Sequence, residues 1–139
     1  MATFNKFEVF VGNLGVSKVH DLNADTIECY YSNATPSASA DNVKADLAEI
    51  TNQNGYAAPE DTTNAASEAS GTLTVTGTDF TTTASGGSFG PFRYVVYFNT
   101  TPASPLDPLI GWWDYGSNLT VNDGESFTVD FGASVATLT

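Results

Sequence analysis

Histidine and cysteine are almost missing from this chain of 139 residues, which holds one of each, His20 and Cys29. A lone cysteine has no partner for a bridge within the chain, and its apolar surroundings, Ile27-Glu28-Cys29-Tyr30-Tyr31, mark it as a small buried hydrophobe. One histidine excludes histidine-rich zinc sites and leaves any Ser–His or Cys–His pair resting on His20 alone. Asp21 follows it directly, which is not the geometry in which an acid orients an imidazole, so His20 reads as an ordinary turn residue. No cofactor and no metal ligand set is implied. Basic residues are scarce too: four against sixteen acids, for a formal net charge of -12. Residues 1–44 hold three of the four, and from residue 45 onward Arg93 stands alone against eleven acids. Such a chain repels a phosphate backbone, which excludes nucleic acid and points to a basic partner or to a solubilising acidic face. No apolar run reaches the length that crosses a bilayer, and the start, Met1-Ala2-Thr3-Phe4-Asn5-Lys6, lacks the pattern of a secretion signal. The expectation is a protein with no membrane partner.

What is present is an aromatic-rich stretch from Phe89 to Phe131, in which short apolar runs are stopped by Gly, Pro, Asn or Asp. That pattern predicts antiparallel β structure. Strands are predicted over 4–11, with Phe7, Val9 and Val11 on one face, then 26–32, 72–76, 78–83, 92–99, 109–113, 118–121, 126–131 and near 135–138. The one helix is predicted over 41–51, with Asp41 as cap and Val43, Leu47 and Ile50 on one face. Residues 52–70 show no periodicity and read as an extended loop. The sum is an all-β single domain over 1–139, a jelly roll or β-sandwich of about eight strands with one short helix.

Chemistry is hard to find in the remaining residues. Asp114 beside Trp112, Trp113 and Tyr115, with Asp123, Glu125 or Asp130 as a second acid, is the pattern a glycosidase would need. Acids are so frequent here that two near aromatics arise by chance, and sugar binding without cleavage needs only the aromatic platform. Asn122-Asp123-Gly124-Glu125 is a hairpin turn rather than a calcium loop. The glycines of Ser85-Gly86-Gly87-Ser88-Phe89-Gly90-Pro91 lack the lysine and helix of a phosphate site.

The aromatic stretch reads instead as a surface. Phe92, Tyr94, Val96 and Phe98 are predicted on one face of their strand, with Phe127, Val129 and Phe131 also in the core, while Arg93, Val95 and Tyr97 take the opposite face. Consecutive tryptophans on a strand point to opposite sides, so one of Trp112 and Trp113 is left for a partner, a lid or a loop of the same chain. Arg93, Tyr97, Trp112, Trp113 and Tyr115, with Phe89 at the head of the stretch, are therefore the interface candidates.

The words His20-Asp21-Leu22-Asn23-Ala24-Asp25-Thr26, Val43-Lys44-Ala45-Asp46-Leu47-Ala48-Glu49-Ile50, Gly55-Tyr56, Gly90-Pro91-Phe92-Arg93-Tyr94, Pro108–Gly116 and Gly124–Phe131 resemble those of small structural proteins of tailed-bacteriophage virions. In size and β-rich character the chain resembles the jelly-roll cement, or decoration, protein of a Bordetella phage capsid. That resemblance implies a non-enzymatic protein on the capsid exterior, made in the bacterial cytoplasm. It would bridge subunits of the major capsid protein, as a dimer or trimer at the symmetry axes. The N-terminal strand and the 52–70 loop would serve as arms onto the shell. The other reading is a tail or fibre module that binds host carbohydrate on the Trp112–Tyr115 platform.

Overall fold

The computed structural model describes residues 2–139 and is an all-β sandwich with antiparallel sheets. Its elements are β1 (Phe4–Lys6), α1 (Glu8–Gly15), β2 (Ile27–Ser32), β3 (Glu60–Asp61), β4 (Ala65–Ala69), β5 (Thr72–Thr76), β6 (Phe80–Thr83), β7 (Phe89–Asn99), β8 (Leu109–Val121), β9 (Ser126–Val129) and β10 (Ala136–Leu138). Five strands form one sheet in the order β1-β8-β7-β2-β3; β10-β5-β4 and β6-β9 form two smaller sheets.

The large sheet is covered on both faces, which is why β2 and β7 read as near-continuous apolar runs. Cys29, Tyr31, Phe92, Val95 and Tyr97 pack on one side with Val75 of β5, Val129 of β9, Phe131 and Val135. Tyr30, Tyr94, Val96, Phe98 and Leu109 pack on the other side beneath Phe7 and Leu47. Cys29 is a buried free thiol, and burial pushes its pKa well up. Phe92 lies with Val95 and Tyr97 rather than with Tyr94, contrary to strict alternation. The cause is a register shift: Phe92 pairs with Leu119 but Tyr94 with Asp114, so the four β8 residues 115–118 bulge opposite Arg93 alone. The same bulge joins the two strands predicted at 109–113 and 118–121 into the single β8.

The cover of the second face corrects the predicted helix. Residues 41–51 are extended apart from one 3₁₀ turn, Lys44–Asp46, because their backbone groups bond to neighbouring segments instead of to each other. Lys44 N–H donates to Asp107 O, Ile50 N–H to Tyr31 O, and the Leu47 and Ala48 carbonyls accept from Tyr30 Oη and Ser32 Oγ. Asp41 caps no helix; it accepts from Ser37 N–H, while Asp46 accepts from Asn42 and Val43 N–H. Leu47 is buried as expected, on an extended chain.

The helix forms instead within the predicted 4–11 strand, which ends at Lys6. Phe10 and Leu14, four apart, pack against the sandwich core, a helical spacing that the Phe7-Val9-Val11 alternation masks. Val11, expected inside, is 53% exposed. The 52–70 loop is likewise corrected: β3 pairs with β2, and β4 with β5. β1 lies on β8 through Phe4↔Trp113, Asn5↔Trp112 and Lys6↔Gly111, so this N-terminal strand is docked on its own sheet rather than projecting as an arm.

Gly111 is required at that seam, since a Cβ there would fall into the Phe4 ring and onto the Asn5 carbonyl. Phe7, fully buried, closes the second face over Trp112 at 4.6 Å between ring centroids. Phe7→Ala is expected to cost about 3–5 kcal/mol in chemical denaturation, as for other large buried aromatics, whereas a free arm would show no loss.

Candidate functional site

Where the two layers meet at one side, their edge strands leave a cleft of about 520 Å³. One lip is β1 and β8, supplying Phe4, Trp113 and Tyr115; the other is β9 and the turn after it, supplying Phe127, Val129, Phe131 and Val135. Val95 lies among its lining residues, and Asp130 is the one charged residue among the described residues of the lining.

Rings line the way from the core to this cleft. Tyr56 stacks on Tyr31 at 4.9 Å, Tyr31 on Phe92 at 4.5 Å, Phe92 meets Phe127 edge-on at 5.0 Å, and Phe127 meets Tyr115 edge-on at 5.9 Å. Offset and edge-to-face pairs of this kind add to simple burial and hold each ring in one orientation. The hydroxyls of the two stacked tyrosines are satisfied: Tyr31 Oη pairs with Thr82 Oγ1 at 2.7 Å, and Tyr56 Oη accepts from Tyr31 N–H at 2.8 Å. Burial raises both phenol pKa values, which keeps these groups neutral. The series ends at Tyr115, which is 53% exposed.

The bulge that presents Tyr115 is held by an ion pair. Arg93 donates from Nε and Nη2 to the two carboxylate oxygens of Asp114 at 2.7 and 2.9 Å, and Gly116 N–H donates to Asp114 Oδ1 at 2.8 Å. Gly116 takes φ of +98°, which suits glycine. The Arg93 hydrogen bonds hold the Asp114 carboxyl below its usual pKa. Arg93 thus anchors a neighbour on its own strand pair, and Asp114 is engaged on both oxygens.

The interface candidates therefore part company. Trp113 and Tyr115 line the cleft together. Trp113 lies against Phe4 at 5.2 Å, Phe131 at 5.6 Å and Tyr97 at 5.8 Å. Trp112 faces the other side against Phe7 and is half-buried there, so the leftover tryptophan is partly covered by a segment of the same chain. Tyr97 and Phe89 are each 1% exposed and belong to the core. Phe4 and Phe127 were not among the candidates. Phe127, expected in the core, is only half-buried because the sandwich is open at its edge.

The acids of the glycosidase pattern are dispersed. Asp123 accepts from Gly86 N–H, Glu125 from Asn122 N–H and Asp130 from Gly132 N–H, each holding a turn. Of the four, only Asp130 borders the cleft. Among the described residues no three His, Cys, Asp or Glu side chains are grouped to hold a metal, and no helix is long and apolar enough to cross a membrane. Compared with known proteins, the chain matches no family model, no curated protein and no solved structure.

His20 lies away from the cleft and is buried at 8% exposure. The Asn99 amide orients it: Asn99 Oδ1 accepts from Thr101 N–H, so Nδ2 faces Asp25 and His20 Nδ1, at 2.6 and 3.0 Å. Nδ1 must then accept, which places the ring proton on Nε2. Burial lowers the His20 pKa, and Asp25 opposes this only in part. A lowered histidine pKa favours the folded state at high pH: the contribution is complete above the free value of 6.5 and is lost as pH falls through the folded value. Measured by denaturation between pH 8 and 5, the stability difference between the native chain and His20→Gln should shrink with falling pH; a constant difference would contradict a neutral buried imidazole.

Proposed function

We propose that the chain is a cement protein, which binds the outside of a tailed-phage shell and bridges subunits of the major capsid protein, itself arranged as a dimer or trimer at the capsid symmetry axes. The observation that carries this reading is the aromatic cleft, with Tyr115 held out at its rim. Exposed apolar surface with a rigid tyrosine and tryptophan is the composition of a contact centre. The net charge of -12 favours a basic partner surface. The resemblance of the His20–Thr26, Pro108–Gly116 and Gly124–Phe131 words to virion structural proteins supplies the shell as the partner. Cement action requires contact area and stability alone, and acids that are dispersed and bound in turns suit a protein that works by contact.

Purified protein titrated onto undecorated shells should bind saturably and raise the temperature at which the shells come apart. Tyr115→Ala should weaken binding by about 2 kcal/mol, roughly thirtyfold in Kd, with little change in the protein's own melting. Shells that neither bind nor gain heat resistance would refute the reading.

One observation favours carbohydrate as a second reading: Trp113 and Tyr115 stand in an open cleft, as a sugar platform would. Saturable quenching of tryptophan fluorescence by host cell-wall oligosaccharides, lost in Tyr115→Ala, would favour it over the shell.

A further inference from the structure

The cleft has a second property besides apolarity, in the hydrogen-bonding edge of its β9 lip. Among the described residues β9 pairs with β6 alone. Glu125 O accepts from Ala84 N–H and Phe131 N–H donates to Asp79 Oδ1, so the odd-numbered residues of β9 turn their backbone groups toward β6. By the alternation of an antiparallel pair, Ser126, Thr128 and Asp130 then turn their N–H and C=O groups outward. The side-chain alternation agrees. Phe127 pairs with Thr82 and packs inward, whereas Thr128 Oγ1 meets Thr81 Oγ1 and Ser126 Oγ meets Thr83 Oγ1 on the exposed face. Thr128 and Asp130 nonetheless border the cleft. A row of unpaired backbone groups therefore runs along an aromatic groove, which is the arrangement that accepts an added strand.

We propose that an extended segment of a partner protein adds to β9 as a further strand, hydrogen-bonding to Ser126, Thr128 and Asp130 and seating its alternate apolar side chains over Phe4, Trp113 and Tyr115. This deepens the cement reading and rests on it for the partner's identity. The chemistry of the segment follows from the lining. Asp130 is the only charged residue among the described residues of the lining, and Oδ1 accepts from Gly132 while Oδ2 makes no hydrogen bond among them. Neither ion pair of the described residues involves it. With a net charge of -12 behind it, the segment that fits is an apolar strand carrying lysine or arginine. A free carboxylate at that place disfavours an acidic segment, and the chain's own acidity disfavours a second copy.

Two arms test this on the full chain. In the first, octapeptides of alternating valine and threonine, ended with lysine or with glutamate, are titrated while tryptophan emission is followed. The lysine-ended peptide should saturate the signal and bind about threefold more tightly than the glutamate-ended one, the size expected of one exposed ion pair. Thr128→Pro removes the outward N–H while sparing the β6 ladder and should abolish binding; Thr128→Val should not. Asp130→Asn keeps the Gly132 contact and should erase the lysine preference even if the proline variant misfolds. No saturation at millimolar peptide, or an unchanged Asp130→Asn preference, would overturn the proposal. In the second arm, hydrogen exchange at residues 126–130 is measured on shell binding. Binding without protection there overturns the added strand and leaves the cement reading standing. Peptide binding without shell binding does the reverse.

Discussion

The two-sided burial of the β2–β7 pair is the constraint on which the rest of the molecule depends. Six register pairs from Ile27↔Asn99 to Ser32↔Tyr94 place aromatic and branched side chains on both faces of the sheet. Neither face can be left to water, since each ring exposes 150–250 Å² or so when unburied. One face is met by the small sheets. The other is met without any further sheet, by Phe7 at the entry to α1 and by the chain around Leu47. This explains why segments with helical or irregular character lie so flat against the sheet. Their backbone groups must find partners on the strands they cover, and they do so at Tyr31 O, Ile110 O and Tyr30 Oη.

The acids play a quieter part than their number suggests. Asp21, Asp41, Asp46, Asp61 and Glu125 each accept from a backbone N–H within a few residues, and Asp123 accepts from Gly86 N–H of a neighbouring loop. In a chain with little helix, many amides lie outside ladders and are met in this way. The acidity thus has a structural use before any electrostatic one. Only two ion pairs, Lys44–Glu49 and Arg93–Asp114, occur among the described residues.

The sequence made the later strands legible because their alternation and turn residues agree, as at Ser126–Val129, two residues shorter than the predicted strand, and at the Asp123-Gly124 turn. It failed where one residue set satisfies two periods. Phe7, Val9 and Val11 alternate, while Phe10 and Leu14 have helical spacing, and tertiary packing decides for the helix from Glu8 onward. It failed again at 41–51, where Val43, Leu47 and Ile50 have helical spacing but the strands beside them offer better backbone partners. The cleft was half visible. Trp113 and Tyr115 stood out by type, but Phe4 and Phe127 are 123 positions apart and meet only because two sheet edges close on one another. For Tyr97 the strand alternation leaves a second buried face and a partner-facing one both open, and the small sheets packed against it decide for the buried one.

Cys29 has a consequence of a different kind. The sole thiol of the chain lies buried in the large sheet, one strand in from its edge, paired with Tyr97 on one side and Glu60 on the other. A thiol reagent reaches it only when that layer opens, and one stoichiometric reaction then reports the event. The protein carries an intrinsic clock for the opening of its innermost strands, readable even in an assembly too large for ordinary spectroscopy.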